Sequence, residues 1–181
     1  LEWPINVNSG TSIPNAVTIA AAATLTLNGT GTHQVIGNLV LNGTLVLSGS
    51  NDIAVSGDIS GTGTLTAGTR KLSFNGTTQN LNAALSFYDL DVLCSNLYIG
   101  AGTTVNNKLL VTAADTLTTK LGFTLSIQSS ALNPSVINGT FINQGGISVG
   151  NNGGLTVASG ATFIHNTTTA ISTNLSRTIM S

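Results

Sequence analysis

Two carboxylates two residues apart, Asp89 and Asp91, are the nearest thing in this chain to an acid–base pair. On a strand they share one face, because successive side chains alternate. A glycosidase needs two carboxylates about 5 to 9.5 Å apart across a cleft. Asp52 and Asp58, six residues apart, could fall on adjacent strands. The rest of the ionisable supply is Glu2, Asp115, Arg70, Lys71, Lys108, Lys120 and Arg177. His33 and His165 are far apart, lack partners at metal-ligand spacing, and are expected at exposed positions. Cys94 sits in the strand-like Asp91-Val92-Leu93-Cys94, with no base or cation close in sequence, and reads as a buried inert thiol. As the only cysteine it makes no internal disulfide.

Other chemistry is weaker still. Gly29-Thr30-Gly31 and Gly61-Thr62-Gly63 are followed by no helix and read as corners, and no Ser-centred elbow or phosphate loop is present. No calcium-binding nonapeptide appears. Catalytic, cofactor and metal residues are therefore none. Six Asn-x-Ser/Thr sequons, at Asn28, Asn42, Asn75, Asn138, Asn166 and Asn174, could carry glycans on a secreted chain. Asn-Gly-Thr is also good corner chemistry. The Thr-x-Thr pairs Thr24/Thr26, Thr62/Thr64, Thr64/Thr66 and Thr116/Thr118 would bind ice only as a flat ladder at one fixed period, and in sequence they keep none.

The elements that must position these residues are short strands. Charged residues are only 6% of the 181 residues, with a formal net charge of -1. Thr, Gly, Asn and Ser supply nearly half the chain. Such a chain is too little basic to grip nucleic acid by its phosphates. Its aromatics, 4%, are too few for a base-stacking platform. No run of 18 apolar residues offers a spanning helix, and the patterning is too regular for disorder. Good helix formers are scarce. Stretches such as Thr24-Leu27, Thr44-Leu47, Lys71-Phe74, Thr124-Ile127 and Gly146-Val149 alternate apolar and small polar residues. Asn-Gly and Ser-Gly pairs separate them, where positive φ turns the chain sharply. Ala84-Leu93 reads as a longer strand pair or a wider rung.

Strands this short, joined by corners of one to three residues, suit a chain that coils in one direction. The expected fold is an all-β, single-stranded parallel β-helix (β-solenoid), one domain over residues 1–181, with about eight or nine rungs of roughly 20 residues. Its axis would hold Leu, Val and Ile with Phe74, Phe123, Phe141 and Phe163. Residues 1–16 could form an N-terminal cap or linker, and 166–181 a C-terminal cap or subunit-contact segment.

The stretch Ile59-Ser60-Gly61-Thr62-Gly63-Thr64-Leu65-Thr66-Ala67-Gly68, then Leu72-Ser73-Phe74-Asn75-Gly76-Thr77-Thr78-Gln79-Asn80-Leu81, then Phe87-Tyr88-Asp89-Leu90, resembles repeat segments of large secreted or surface-anchored bacterial proteins, adhesin-like and autotransporter-passenger-like. The best match spans about Ile53 to Val92. The resemblance implies a right-handed parallel β-helix, a cell-surface location and structural or adhesive work, with no catalytic motif to carry over.

The expectation is a non-enzymatic extracellular solenoid, a fibre subunit or adhesin stalk that stacks rung on rung with copies of itself or with more of the same chain. The start at Leu1 fits either a removed leader or a piece of a longer chain. Two alternatives stand beside it. One is a solenoid that binds carbohydrate, such as surface glycans, or ice. The other is a polysaccharide lyase or hydrolase, which a groove gathering Asp89, Asp91 and a Lys or Arg would favour.

Overall fold

The computed structural model describes residues 5–8, 10–130, 132–150 and 154–168. The chain coils as a parallel β-solenoid of eight turns, with no helix among the described residues. The first four turns each carry three strands: Ile5–Asn8, Ser12–Ile13 and Val17–Ile19; Thr24–Asn28, Thr30–Val35 and Leu39–Leu41; Thr44–Leu47, Ser50–Val55 and Ile59–Ser60; Thr64–Thr66, Lys71–Phe74 and Thr78–Asn82. In turns five and six the first two strands fuse into one, Ser86–Val92 and Thr103–Val111, followed by Asn96–Ile99 and Thr116–Thr119. Turns seven and eight separate them again: Thr124–Ile127, Ser135–Ile137 and Thr140–Asn143, then Gly146–Val149, Leu155–Val157 and Thr162–His165. Within residues 1–16, the segments Ile5–Asn8 and Ser12–Ile13 are already strands of the first turn. Eight turns at about 4.8 Å each make a rod roughly 40 Å long.

Each face is a stack of parallel strands whose side chains line up in columns. On the second face one inward column runs unbroken through Ile13, Val35, Val55, Phe74, Val92, Val111, Ile137 and Val157. β-branched residues dominate it because they pack well on a pleated sheet. On the third face the inward column runs Val17, Leu39, Ile59, Leu81 and Ile99, then turns polar at Thr119, Asn143 and His165. Phe74, Phe87 and Phe141 are fully buried on the axis, and Phe163 packs edge-on against Phe141 with ring centroids 5.3 Å apart. Phe123, expected in the core, is 38% exposed because it closes a corner turn on the outside of the sixth-to-seventh-turn junction.

The corners explain the repeated Asn-Gly-Thr phrase. Ala20 to Ala23, Thr112 to Asp115 and Lys120 to Phe123 are tight turns closed by a backbone hydrogen bond from the last residue to the first, at 3.0, 3.2 and 3.2 Å. Their third residues, Ala22, Ala114 and Gly122, have φ of 63°, 69° and 87°, the signature of a type II turn. One turn further along the rod a glycine passes directly beneath each. A Cβ on Gly43 would lie 2.2 and 2.3 Å from the carbonyls of Ala23 and Ala20, and one on Gly139 or Gly145 would lie 2.3 Å from the corresponding pairs. Gly43, Gly76 and Gly139 do not have positive φ. Close backbone approach, not the left-handed conformation expected from sequence, is what requires glycine there. Left-handed alanine is strained by about 1 kcal/mol. Ala114→Gly is therefore expected to raise unfolding free energy by about 0.5 kcal/mol, the relief less the added unfolded-state entropy. A loss in urea denaturation would contradict the strain.

Candidate functional site

The ionisable groups sort onto faces. The outer surface of the second face carries a column of alternating charge. Thr32 is in register with Asp52, Lys71 with Asp89, and Asp89 with Lys108. Asp52 and Lys71 immediately precede the paired Ile53 and Leu72, so they stand on adjacent turns of the same column. The inward neighbours Ile53, Leu72, Leu90 and Leu109 are buried, which fixes the charged residues outward. Each polar group also ties one turn to the next. Asp52 Oδ1 accepts from the Lys71 backbone N–H at 2.9 Å, and Asp89 Oδ1 from Asn107 Nδ2 at 2.7 Å.

The structure does bring Asp91 together with a lysine. Lys71 Nζ lies 3.0 Å from Asp91 Oδ2, with the Asp91 side chain 12% exposed. The hydrogen bond from Lys71 to Asp91 raises the ammonium pKa above its usual 10.5, and the charges of Asp91, Asp52 and Asp89 add to this against partial desolvation. A lysine held protonated is a poor general base, which is what a lyase would need from it. The geometry supports an electrostatic clamp between turns four and five.

A second polar ladder climbs the third face. Asn38 Oδ1 accepts from the Asp58 N–H at 2.9 Å, Asp58 Oδ1 from the Asn80 N–H at 2.7 Å, and Asn80 Oδ1 from Lys120 Nζ at 2.9 Å. The Lys120 ammonium sits 5.3 Å from the Tyr98 ring centroid. Asp58 thus stands at the corner into the third face, apart from Asp52.

The first face is different again. Its outer columns are Thr24, Thr44, Thr64 and Thr26, Val46, Thr66, in register at intervals of 20 residues. Thr44 Oγ1 and Thr64 Oγ1 are 3.2 Å apart. The expectation that the Thr pairs share no period is corrected for these two, which the rod aligns two turns apart. Thr116 belongs elsewhere, in a third-face column with Thr78, Asn96, Thr140 and Thr162. At the first corner an apolar hollow of about 220 Å³ is lined by Val17, Ile19, Ala20, Ala23 and Leu25, with Thr18 and Thr24.

His33 corrects a second expectation. It is fully buried, not exposed. Its Nδ1 accepts from the Thr11 N–H and its Nε2 faces the Asn28 carbonyl, both at 3.3 Å, so the ring bridges turns one and two from inside. The local sequence gave no sign of this, since His33 occupies an inward position usually held by an aliphatic residue, Ile53 on the next turn. Buried Gln79 was also missed. It donates to the Val55 carbonyl at 2.9 Å and accepts from the Gly76 N–H at 2.7 Å, clamping a corner. His165 is exposed as expected, with Nδ1 3.1 Å from Asn143 Nδ2.

Among the sequons, Asn42, Asn75, Asn138 and Asn166 are exposed, Asn28 is half-buried, and Asn174 lies outside the described residues. Asn75 Nδ2 donates to Gln34 Oε1 at 3.2 Å, and a glycan on that nitrogen would compete with this cross-turn bond.

Cys94 is buried, as expected, and burial is the main cause that pushes its thiol from 9.0 to about 11, with the Asp115 charge adding to it. The folded state therefore holds its proton where the unfolded chain releases it. This contribution to stability is complete below pH 9 and is lost as pH rises toward 11. Lys71 acts in the same direction at higher pH, above 10.5. Denaturation midpoints are expected to fall between pH 9 and 11, and Cys94→Ala should flatten that fall. An unchanged slope in the variant would remove Cys94 from the account.

No protein-family model, curated protein or solved structure matches the chain.

Proposed function

We propose that this chain is a non-enzymatic structural solenoid of a microbial cell surface, a fibre subunit or adhesin stalk that extends by rung-on-rung stacking with a second copy or with more of the same chain. The observation that carries this is the ladder itself. Among the described residues, the strands of the first and eighth turns are paired on one side only, on every face. A sheet edge is a template for another strand. Charged residues at 6% leave little repulsion to oppose it. The adhesin-like phrases between Ile53 and Val92 favour the same reading.

The edge chemistry gives a direct test. Thr162 and Asn166 donate their N–H groups backward, to Gly139 and Asn143. Alternation turns the His165 N–H toward the next turn. His165→Pro removes that donor while leaving the backward bonds in place. In sedimentation velocity at high ionic strength, where paired charges are screened, the parent chain should form larger species as concentration rises, and His165→Pro should remain a single rod. A parent chain that stays monomeric at every concentration would sink the proposal.

The aligned threonines of the first face favour a second reading, a flat hydroxyl surface for ice or an ordered polysaccharide. Thr44→Lys, at the centre of the column, would abolish such binding.

A further inference from the structure

The alternating column on the second face has a symmetry of its own. Read along the rod it is Asp52, Lys71, Asp89, Lys108, one residue per turn from the third to the sixth. Negative, positive, negative, positive becomes its own complement when reversed. We propose that this face binds a second copy of the chain side by side, with the two rods antiparallel about a twofold axis lying along the strand direction between turns four and five.

An axis along the strands keeps each column opposite itself and reverses the order of turns. Asp52 then faces Lys108 of the second copy, and Lys71 faces Asp89. All four pairings around the axis are attractive. The other face-to-face twofold, parallel to the rod, would set Asp52 against Asp52 and Lys108 against Lys108, and is repulsive at every turn. Self-complementarity of one patch is what an isologous dimer requires. Sheets pack about 10 Å apart, a gap that an extended lysine and aspartate span together.

The adjacent column on the Ala54 side permits this approach. In the adjacent column Ala54 and Ser73 are 6% exposed and Asp91 is 9% exposed, so they lie recessed and obstruct nothing. Leu110, in register with Asp91 and half-buried, would face small Ala54 of the second copy. Lys71 is already held by Asp91. Lys108 makes no ion pair within 4 Å among the described residues, so its charge is available to a neighbour. The central axis falls midway along the eight described turns, so antiparallel rods would overlap over their whole described length.

This pairing is lateral and closed, and does not depend on end stacking. Sedimentation equilibrium separates the two. The lateral dimer should weaken about tenfold or more as ionic strength rises from ~0.01 to ~1 M, because the Debye length falls from about 30 to about 3 Å. Lys108→Asp should weaken it about tenfold or more, roughly 1.4 kcal/mol per tenfold, and Asp52→Lys added to the same chain should restore it within about threefold. Far-UV circular dichroism of the same samples confirms the fold, and Lys108→Gln, which removes charge without reversing it, should give an intermediate affinity. Leu110→Cys should not cross-link to itself. Self-cross-linking at Leu110, a dimer indifferent to Lys108→Asp, or no dimer at low salt and high concentration would each overturn the proposal. Filaments that persist in Lys108→Asp would leave end stacking standing without it.

Discussion

Gly43→Ala is expected to destabilise the rod by about 3 kcal/mol, the upper range for forcing an atom into a packed site. The added methyl carbon would meet the carbonyls of Ala23 and Ala20 at 2.2 and 2.3 Å and Ile19 Cγ2 at 3.0 Å. The Ala20 carbonyl closes a turn by accepting the Ala23 N–H at 3.0 Å, and the Ala23 carbonyl accepts the Thr44 N–H at 2.8 Å, so neither can move without losing its bond. Relief by rotamer change is not open to a backbone oxygen. Gly102→Ala is the control. Nothing lies within 4 Å of its new Cβ and its φ is not positive. There the substitution should stabilise by about 0.4 to 1 kcal/mol through the unfolded state alone. Equal urea midpoints for the two variants would mean that turns do not nest on glycine.

Phe74→Ala carries the other large effect. The ring is fully buried in the eight-turn column between Val55 and Val92. Deleting it should cost about 3 to 5 kcal/mol from lost burial and the cavity left behind. A solenoid is held by nearest-neighbour interfaces, so a wound in the fourth turn should also broaden or split the denaturation transition as the turns on each side uncouple. Phe123→Ala, at a corner and 38% exposed, should cost well under half as much. A loss below about 1 kcal/mol for Phe74→Ala would place Phe74 off the axis, contrary to core substitution series.

Much of this fold could be read directly from the residues, because each strand carries its own alternation. Thr44–Leu47, Lys71–Phe74, Thr124–Ile127 and Gly146–Val149 fall where the pattern places them. Asn-Gly pairs mark the corners, but at Gly43 and Gly139 close backbone approach, not positive φ, requires the glycine. A sequence shows that glycine is present, and only the stacked turn shows what it passes beneath. Strands without apolar alternation were harder. Thr30–Val35 contains two glycine-adjacent threonines and the inward His33, and looks like loop until its partner Ser50–Val55 is alongside.

Surface columns were the least legible feature. Equivalent positions are 20 residues apart from Thr24 to Thr44, 22 from Val17 to Leu39, 18 from Lys71 to Asp89 and 26 from Leu110 to Val136. Corner length varies freely because it lies outside the hydrogen-bonded ladder, so no fixed period connects one turn to the next. The threonine columns and the Asp52, Lys71, Asp89, Lys108 series emerge only from the register. Alternation places Asp89 and Asp91 on one strand face, and the register agrees. That Lys71 would neutralise Asp91 across a turn was not visible, since the two are 20 positions apart with two corners between them.

Negative-stain electron microscopy of the purified chain over a concentration series tests the central claim most directly. End-stacking solenoids should appear as unbranched filaments of uniform width that lengthen with concentration, with an axial repeat of about 4.8 Å in diffraction from aligned samples. Separate rods of roughly 40 Å at every concentration, the length of eight turns, would contradict assembly through the open edges.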